Sequence, residues 1–270
     1  MTLTFIGGGN MAAAMIGGLI AKGWQAQDIC AVDIVPEALG RLQQQFGVRT
    51  SPDGAAAIAD ADAVVLAVKP QQMREVTQSL ARAVKEQLFI SIAAGIRSGD
   101  LQRWLGGKAA LVRAMPNTPA LVSAGISGLF AAPGVSDAQR SAAENILGAV
   151  GEAFWVHEET GLDVVTAVSG SGPAYVFYCI EALEQAAIAA GQNPDAARRS
   201  ALATFAGAVK LALADSADPA TLRARVTSKG GTTERGIAAL ESAGVKKAFA
   251  DAVQAAAQRS VELGDTLGKD

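Results

Sequence analysis

Short, mostly apolar runs alternate with longer mixed segments through the first 158 residues. Leu3–Ile6 is such a run, followed by glycines and a helical stretch to about Lys22. Residues 29–33 predict a second strand. Pro36 opens the next helix, where a missing N–H is not needed. Residues 48–50 form a weaker strand. Residues 63–68 are apolar throughout, the pattern of a strand buried on both faces of a parallel sheet. Residues 88–93, 109–115 and 126–130 repeat it, with helical segments between. Ser136 and Gln139 have the spacing of a capping box, and residues 154–156 close the sheet. Strands alternating with helices imply βαβ units with right-handed crossovers.

After about Glu158 the strand pattern stops. Residues 173–190, 195–214, 219–225, 232–241 and 245–263 all read as helices, rich in Ala. Apolar positions occur on more than one helical face, which fits helices buried in a bundle or a dimer. The fold class is therefore an α/β Rossmann-like N-terminal domain with a mostly parallel sheet (residues 1–158), plus an all-helical C-terminal domain (residues 159–270).

Composition narrows the function. Half the residues are apolar, so a large core is available. Lys and Arg number 23 against 26 Asp and Glu, a net charge of −3. That leaves no basic excess for nucleic acid. The two cysteines, Cys30 and Cys179, form no CxxC pair and suggest a reducing, cytoplasmic setting. His157, the single histidine, argues against a His-based metal site or a Ser-His-Asp triad. Residues 1–21 carry no charged side chain but have no basic start, and glycines interrupt them. They do not read as a signal peptide, and no segment reads as membrane-spanning.

Gly7-Gly8-Gly9-Asn10-Met11-Ala12 fits G-x-G-x-x-A between a strand and a helix. Gly7 permits a tight turn, Gly9 lets backbone approach a pyrophosphate, and Ala12 allows close helix–sheet packing. The N–H groups of the helix start supply donors to an anion. Asp33 ends the second strand, where a carboxylate bonds ribose hydroxyls and repels a 2′-phosphate; this favours NADH over NADPH. Alternatively, Asp33 caps the next helix or faces solvent. No Arg immediately follows Asp33; Arg41 is the next one. Further turns at Lys69-Pro70-Gln71, Ala93-Ala94-Gly95 and Met115-Pro116-Asn117-Thr118-Pro119 share the same sheet edge.

Two loops mark the helical half. Ser169-Gly170-Ser171-Gly172-Pro173-Ala174-Tyr175 is either a close-approach loop or a hinge with a cap. In Thr227-Ser228-Lys229-Gly230-Gly231-Thr232-Thr233-Glu234, two glycines run into two threonines that start a helix. The free N–H groups and hydroxyls there suit a small anion such as a carboxylate; an ordinary cap is the alternative. No acid–base residue stands out. An iminium substrate needs none for hydride attack at its carbon, because the cofactor performs the difficult step.

Together, Gly7-Gly8-Gly9-Asn10-Met11, Ala67-Val68-Lys69-Pro70, Met115 to Pro119, Ser169 to Tyr175 and Thr227 to Thr233 resemble the pyrroline-5-carboxylate reductases. The resemblance spans residues 3 to about 263. It implies reduction of 1-pyrroline-5-carboxylate to L-proline by NADPH or NADH, a Rossmann domain, and an interlocked homodimer able to assemble into a decamer. It implies that Ile6, Gly7, Gly8, Gly9, Asn10, Met11, Ala67, Val68, Lys69, Pro70, Ile92, Ala93 and Ala94 line the cofactor beside Asp33. The nicotinamide then sits between the domains. Ser228, Gly230, Gly231, Thr232 and Thr233 bind the substrate, with the Thr233 hydroxyl facing the ring nitrogen as the catalytic contact. Two positions depart from the pattern. Lys229 stands where many members carry Pro, and Asp33 where NADPH-preferring members carry small polar or basic residues. A reductase of another imine or hydroxy acid, and a non-catalytic cofactor sensor, are the rival readings.

Overall fold

A computed structural model describes residues 1–269. It divides into two compact units: Met1–Ser171 together with the chain from Ala255 onward, and Gly172–Gln254.

The first unit is built on an eight-stranded sheet. In chain order it contains β1 (Leu3–Ile6), α1 (Asn10–Ala21), β2 (Ile29–Val32), α2 (Pro36–Phe46), β3 (Arg49–Ser51), α3 (Gly54–Ile58), β4 (Ala63–Leu66), α4 (Pro70–Leu80) and β5 (Leu88–Ser91). Then follow α5 (Ser98–Trp104), β6 (Ala110–Met115), β7 (Gly125–Ala131), α6 (Asp137–Leu147), β8 (Gly151–Trp155) and α7 (Gly161–Val165). The strand order is β3-β2-β1-β4-β5-β6-β7-β8, parallel except where β6 meets β7. The strand in the final stretch therefore begins at Gly151, earlier than the apolar run at 154–156 indicates.

Alternate strand residues feed two cores. Leu3, Phe5, Ala63 and Val65 pack with Met15, Ile16 and Leu19 of α1, Leu42 of α2 and Ile146 of α6. Ile6, Val64, Leu66 and Phe89 pack with Ile58, Met73, Leu80, Leu101 and Trp104 of α3 to α5. Helices on both faces explain why the central strands carry no polar alternation. The capping box at Ser136 and Gln139 is formed, with Ser136 Oγ accepting the Gln139 N–H at 3.2 Å.

The chain leaves α7 through a π-helical turn, Thr166–Gly170, and enters α8 (Gly172–Ala189). Next come α9 (Pro194–Ala214), α10 (Pro219–Arg225), α11 (Thr232–Ser242) and α12 (Val245–Leu267), which ends in the first unit. The second unit has almost no interior. Ala197 and Ala201 are its only buried residues among those described. Phe177, Tyr178, Leu211 and Leu213 are each at least 67% exposed.

Candidate active site

The strand order reverses at β1 and β4. Ligands of open α/β sheets bind beyond the carboxyl ends of strands at such a point. A cleft of about 380 Å³ lies there, lined by Ile6, Gly7, Gly9, Asp33, Ala67, Val68 and Lys69 among others. A larger depression of about 630 Å³ is lined by Met1, Lys22 and Trp24. These residues precede β1 and β2, so it lies at the amino ends of the strands, away from the glycine loop.

The glycines of the loop differ in what they do. Gly7 has φ +107°, and a methyl group on it would lie 2.7 Å from the Ala67 carbonyl oxygen. Only glycine fits the turn that brings the chain against β4. A methyl group on Gly9 meets nothing within 4 Å, so its bare backbone faces open space. Gly9 is the N-cap of α1 and makes no side-chain cap. The first-turn N–H groups of Asn10, Met11 and Ala12 have no acceptor within the helix.

Asp33 is tied into this loop. Its Oδ2 accepts the Gly8 N–H at 2.7 Å and its Oδ1 accepts the Val35 N–H at 2.9 Å. A carboxylate has about four lone-pair sites, so two acceptor positions remain. Arg41 Nη2 donates to the Gly8 carbonyl at 3.0 Å. Arg41 does not follow Asp33 directly in sequence, but one turn and a half of α2 brings it back to the loop. The donors at the start of α1, the bare Gly9 backbone and the remaining acceptors of Asp33 fit the pyrophosphate and ribose of a dinucleotide.

The neighbouring strand ends form the same edge. Ala67 N–H donates to the Ile6 carbonyl at 2.7 Å, and Ile92 N–H to the Leu66 carbonyl at 3.2 Å. Pro70 occupies the first position of α4. Asn117 bridges β7 and the π-helical turn: its Nδ2 donates to the Ser169 carbonyl at 3.2 Å, and its Oδ1 accepts the Ile126 N–H at 2.9 Å. Gly170 packs so closely that a methyl group would lie 2.6 Å from Met115 Cε. His157 is exposed in a turn.

The second candidate element lies in the other unit. Gly230 has φ +76° and Gly231 is the N-cap of α11. The Gly230 N–H donates to Glu234 Oε2 at 2.7 Å, and the Gly231 N–H to the Ser228 carbonyl at 3.0 Å. The two glycines thus supply shape, and their amides are already used. Thr232, Thr233 and Glu234 keep first-turn N–H groups with no acceptor in the helix. Thr232 and Thr233 are both exposed.

Sequence reasoning missed the buried charges behind the β5–α5 turn. Arg113 pairs with Glu159 at 2.8 Å and Arg97 with Asp163 at 2.9 Å. Arg113 and Asp163 are each 4% exposed. Burial lowers the pKa of Arg113, and its hydrogen bond to Glu159 acts in the opposite direction. The signal was present: Arg113 interrupts an otherwise apolar strand.

Two family models match the chain. Residues 159–263 match a family model described as pyrroline-5-carboxylate reductase dimerisation. Residues 2–95 match one described as NADP oxidoreductase, coenzyme F420-dependent. Pyrroline-5-carboxylate reductase of Pseudomonas aeruginosa is 47% identical over 268 residues, 99% of this chain and 98% of the relative. The solved structure of a pyrroline-5-carboxylate reductase from Coxiella burnetii superposes with a TM-score of 0.93 at 42% identity, covering 97% of this chain and 98% of that one. A Plasmodium falciparum pyrroline carboxylate reductase, solved with NADP bound, has a TM-score of 0.87 at 26% identity, with 98% of each chain covered. The chain belongs to the pyrroline-5-carboxylate reductase family.

Proposed function

We propose that this protein reduces 1-pyrroline-5-carboxylate to L-proline, the last step of proline biosynthesis. The observation that carries this reading is a glycine-bounded helix start, Gly230 to Thr233, in a chain that also holds a dinucleotide cleft. A bound nicotinamide dinucleotide in its reduced form supplies the hydride.

The residues of this chain bind and orient. The loop Gly7–Met11 receives the pyrophosphate on the free N–H groups of α1. Asp33 accepts from the adenosine ribose, which favours NADH over a 2′-phosphorylated dinucleotide. Ile6, Ala67 to Pro70 and Ile92 to Ala94 line the rest of the cofactor. The N–H groups at Thr232 and Thr233 hold the substrate carboxylate at the positive end of α11. Ser228, Gly230 and Gly231 shape that turn. The Thr233 hydroxyl faces the ring nitrogen and orients the imine toward the hydride. The protonated imine is already electrophilic, so orientation provides much of the rate.

The exposed apolar side chains of α8 and α9 support self-association. A unit with two buried alanines buries too little apolar surface to be stable unaccompanied. We assign it to a homodimer, with a decamer as the further assembly. No described helix is long and apolar enough to cross a membrane. The low positive charge supports a small-molecule substrate over nucleic acid, and the unpaired cysteines support a cytoplasmic location.

The substrate is tested by comparing five- and six-membered cyclic imino acids under the same conditions. The reading predicts a large preference for the five-membered ring. Equal or reversed efficiency would transfer the assignment to another imine reductase of the same architecture.

A further inference from the structure

The segment joining β5 to α5 is fastened by two carboxylates that the proposed chemistry does not use. Glu159 Oε1 accepts the Ser98 N–H at 2.6 Å, and its Oε2 accepts the Ser98 hydroxyl at 2.9 Å. Arg113 Nη1 donates to the same Oε1 at 2.8 Å. Asp163 Oδ2 accepts from Arg97 Nη1 at 2.9 Å, and its Oδ1 accepts the Ser260 hydroxyl at 2.7 Å. Arg97 is the N-cap of α5 and Ser98 its first residue.

The upstream end of the segment is also held. Ser91 Oγ accepts the Ala93 N–H at 3.4 Å, next to the bond from Ile92 to Leu66. In the middle, Gly95 has φ +82° and packs against the end of α12. A methyl group on Gly264 would lie 2.7 Å from the Gly95 carbonyl oxygen. Replacing a buried ion pair by apolar side chains is often neutral for stability. Two such pairs converging on one short segment therefore point to control of its shape.

We propose that Glu159 and Asp163 are positioning residues for the cofactor: acting through Ser98 and Arg97, they hold Ile92, Ala93 and Ala94 in the backbone shape that receives the dinucleotide. The inference rests on the reading above that these three residues line the cofactor. Each carboxylate acts on a residue at the far end of the segment.

The test uses Asp163→Asn and Glu159→Gln in the full chain, with NADH and NADPH as probes. Dissociation constants come from quenching of intrinsic fluorescence, and KM and kcat from turnover. The dissociation constant and KM of the dinucleotide rise on the order of tenfold, the scale expected for a small displacement of a positioning element. The kcat at saturating dinucleotide and the KM of the imine stay within about twofold. Asp163→Glu, which keeps the charge, recovers part of the affinity. Unchanged dinucleotide affinity alongside a lowered melting temperature overturns the proposal and leaves a structural latch. Should both variants fail to fold, Ser260→Ala removes one hydrogen bond without stranding a charge. Weaker dinucleotide binding in that variant supports the proposal, and unchanged binding overturns it. Failure of the wild type to bind either dinucleotide overturns the cofactor reading and this inference together, and the wild-type titration alone distinguishes that case.

Discussion

The Asp33 carboxylate and the Gly8 amide are joined at 2.7 Å, so the acidic end of β2 and the glycine loop after β1 form one unit. A methyl group on Gly8 would lie 3.2 Å from Asp33 Oδ2. Asp33 therefore shapes the loop, and on the proposed reading it also presents acceptors to a ribose. Replacing it by Ser removes the charge that repels a 2′-phosphate. Arg41 remains on the Gly8 carbonyl as a nearby cation. The NADH-to-NADPH efficiency ratio of Asp33→Ser should fall on the order of tenfold, the scale of one hydrogen bond to a charged group. Paired initial-rate measurements check it; an unchanged ratio would remove Asp33 from cofactor selection.

Gly7 and Gly9 should respond in opposite ways to an added side chain. Gly7→Ala forces a methyl group against the Ala67 carbonyl at a positive φ. It should cost about 1–3 kcal/mol of stability and lower the melting temperature. Gly9→Val points into open space and should fold normally while losing dinucleotide affinity. Thermal melts and a cofactor titration on both variants separate the two roles. Normal cofactor affinity in Gly9→Val would contradict the placement of the pyrophosphate.

Much of this was legible in the sequence, for identifiable reasons. The strands β1, β2, β4 and β5 are buried on both faces, so they appear as nearly continuous apolar runs. The glycine loop has a fixed relation to the strand and helix around it. The final strand was mislocated because Gly151–Trp155 lies at a sheet edge, where every second side chain is exposed and the apolar signal fades. The ties of Arg41 to Gly8, Asp163 to Arg97 and Glu159 to Ser98 span 33, 66 and 61 positions. Periodicity does not reach that far. Conversely, α8 is apolar yet exposed in the single chain, and it lies within the stretch that matches the dimerisation family model.

Arg113 supplies a stability prediction distinct from activity. Arg113→Leu leaves Glu159 with a stranded charge beside a buried apolar group. Breaking a buried pair at one partner costs about 3–5 kcal/mol. Glu159 keeps its two bonds to Ser98, so the loss should fall at the lower end. Denaturant unfolding of the variant measures it. A cost below about 1 kcal/mol, typical of exposed pairs, would mean the pair is solvated in solution.

Thr233 carries the catalytic prediction. Thr233→Val keeps the shape and removes the hydroxyl at an exposed first-turn position, so the melting temperature should hold. Its kcat/KM for the imine should fall on the order of tenfold to a hundredfold, as expected when one oriented polar contact in the transition state is lost. Wild-type kinetics would remove Thr233 from the mechanism.

The most direct test of the central claim is oxidation of NADH and NADPH followed by absorbance, with 1-pyrroline-5-carboxylate as substrate and L-proline measured as product. Turnover with stoichiometric L-proline, and higher efficiency with NADH, is the expected result. Binding of both dinucleotides without turnover would contradict the reductase assignment and leave a cofactor-binding protein of this fold.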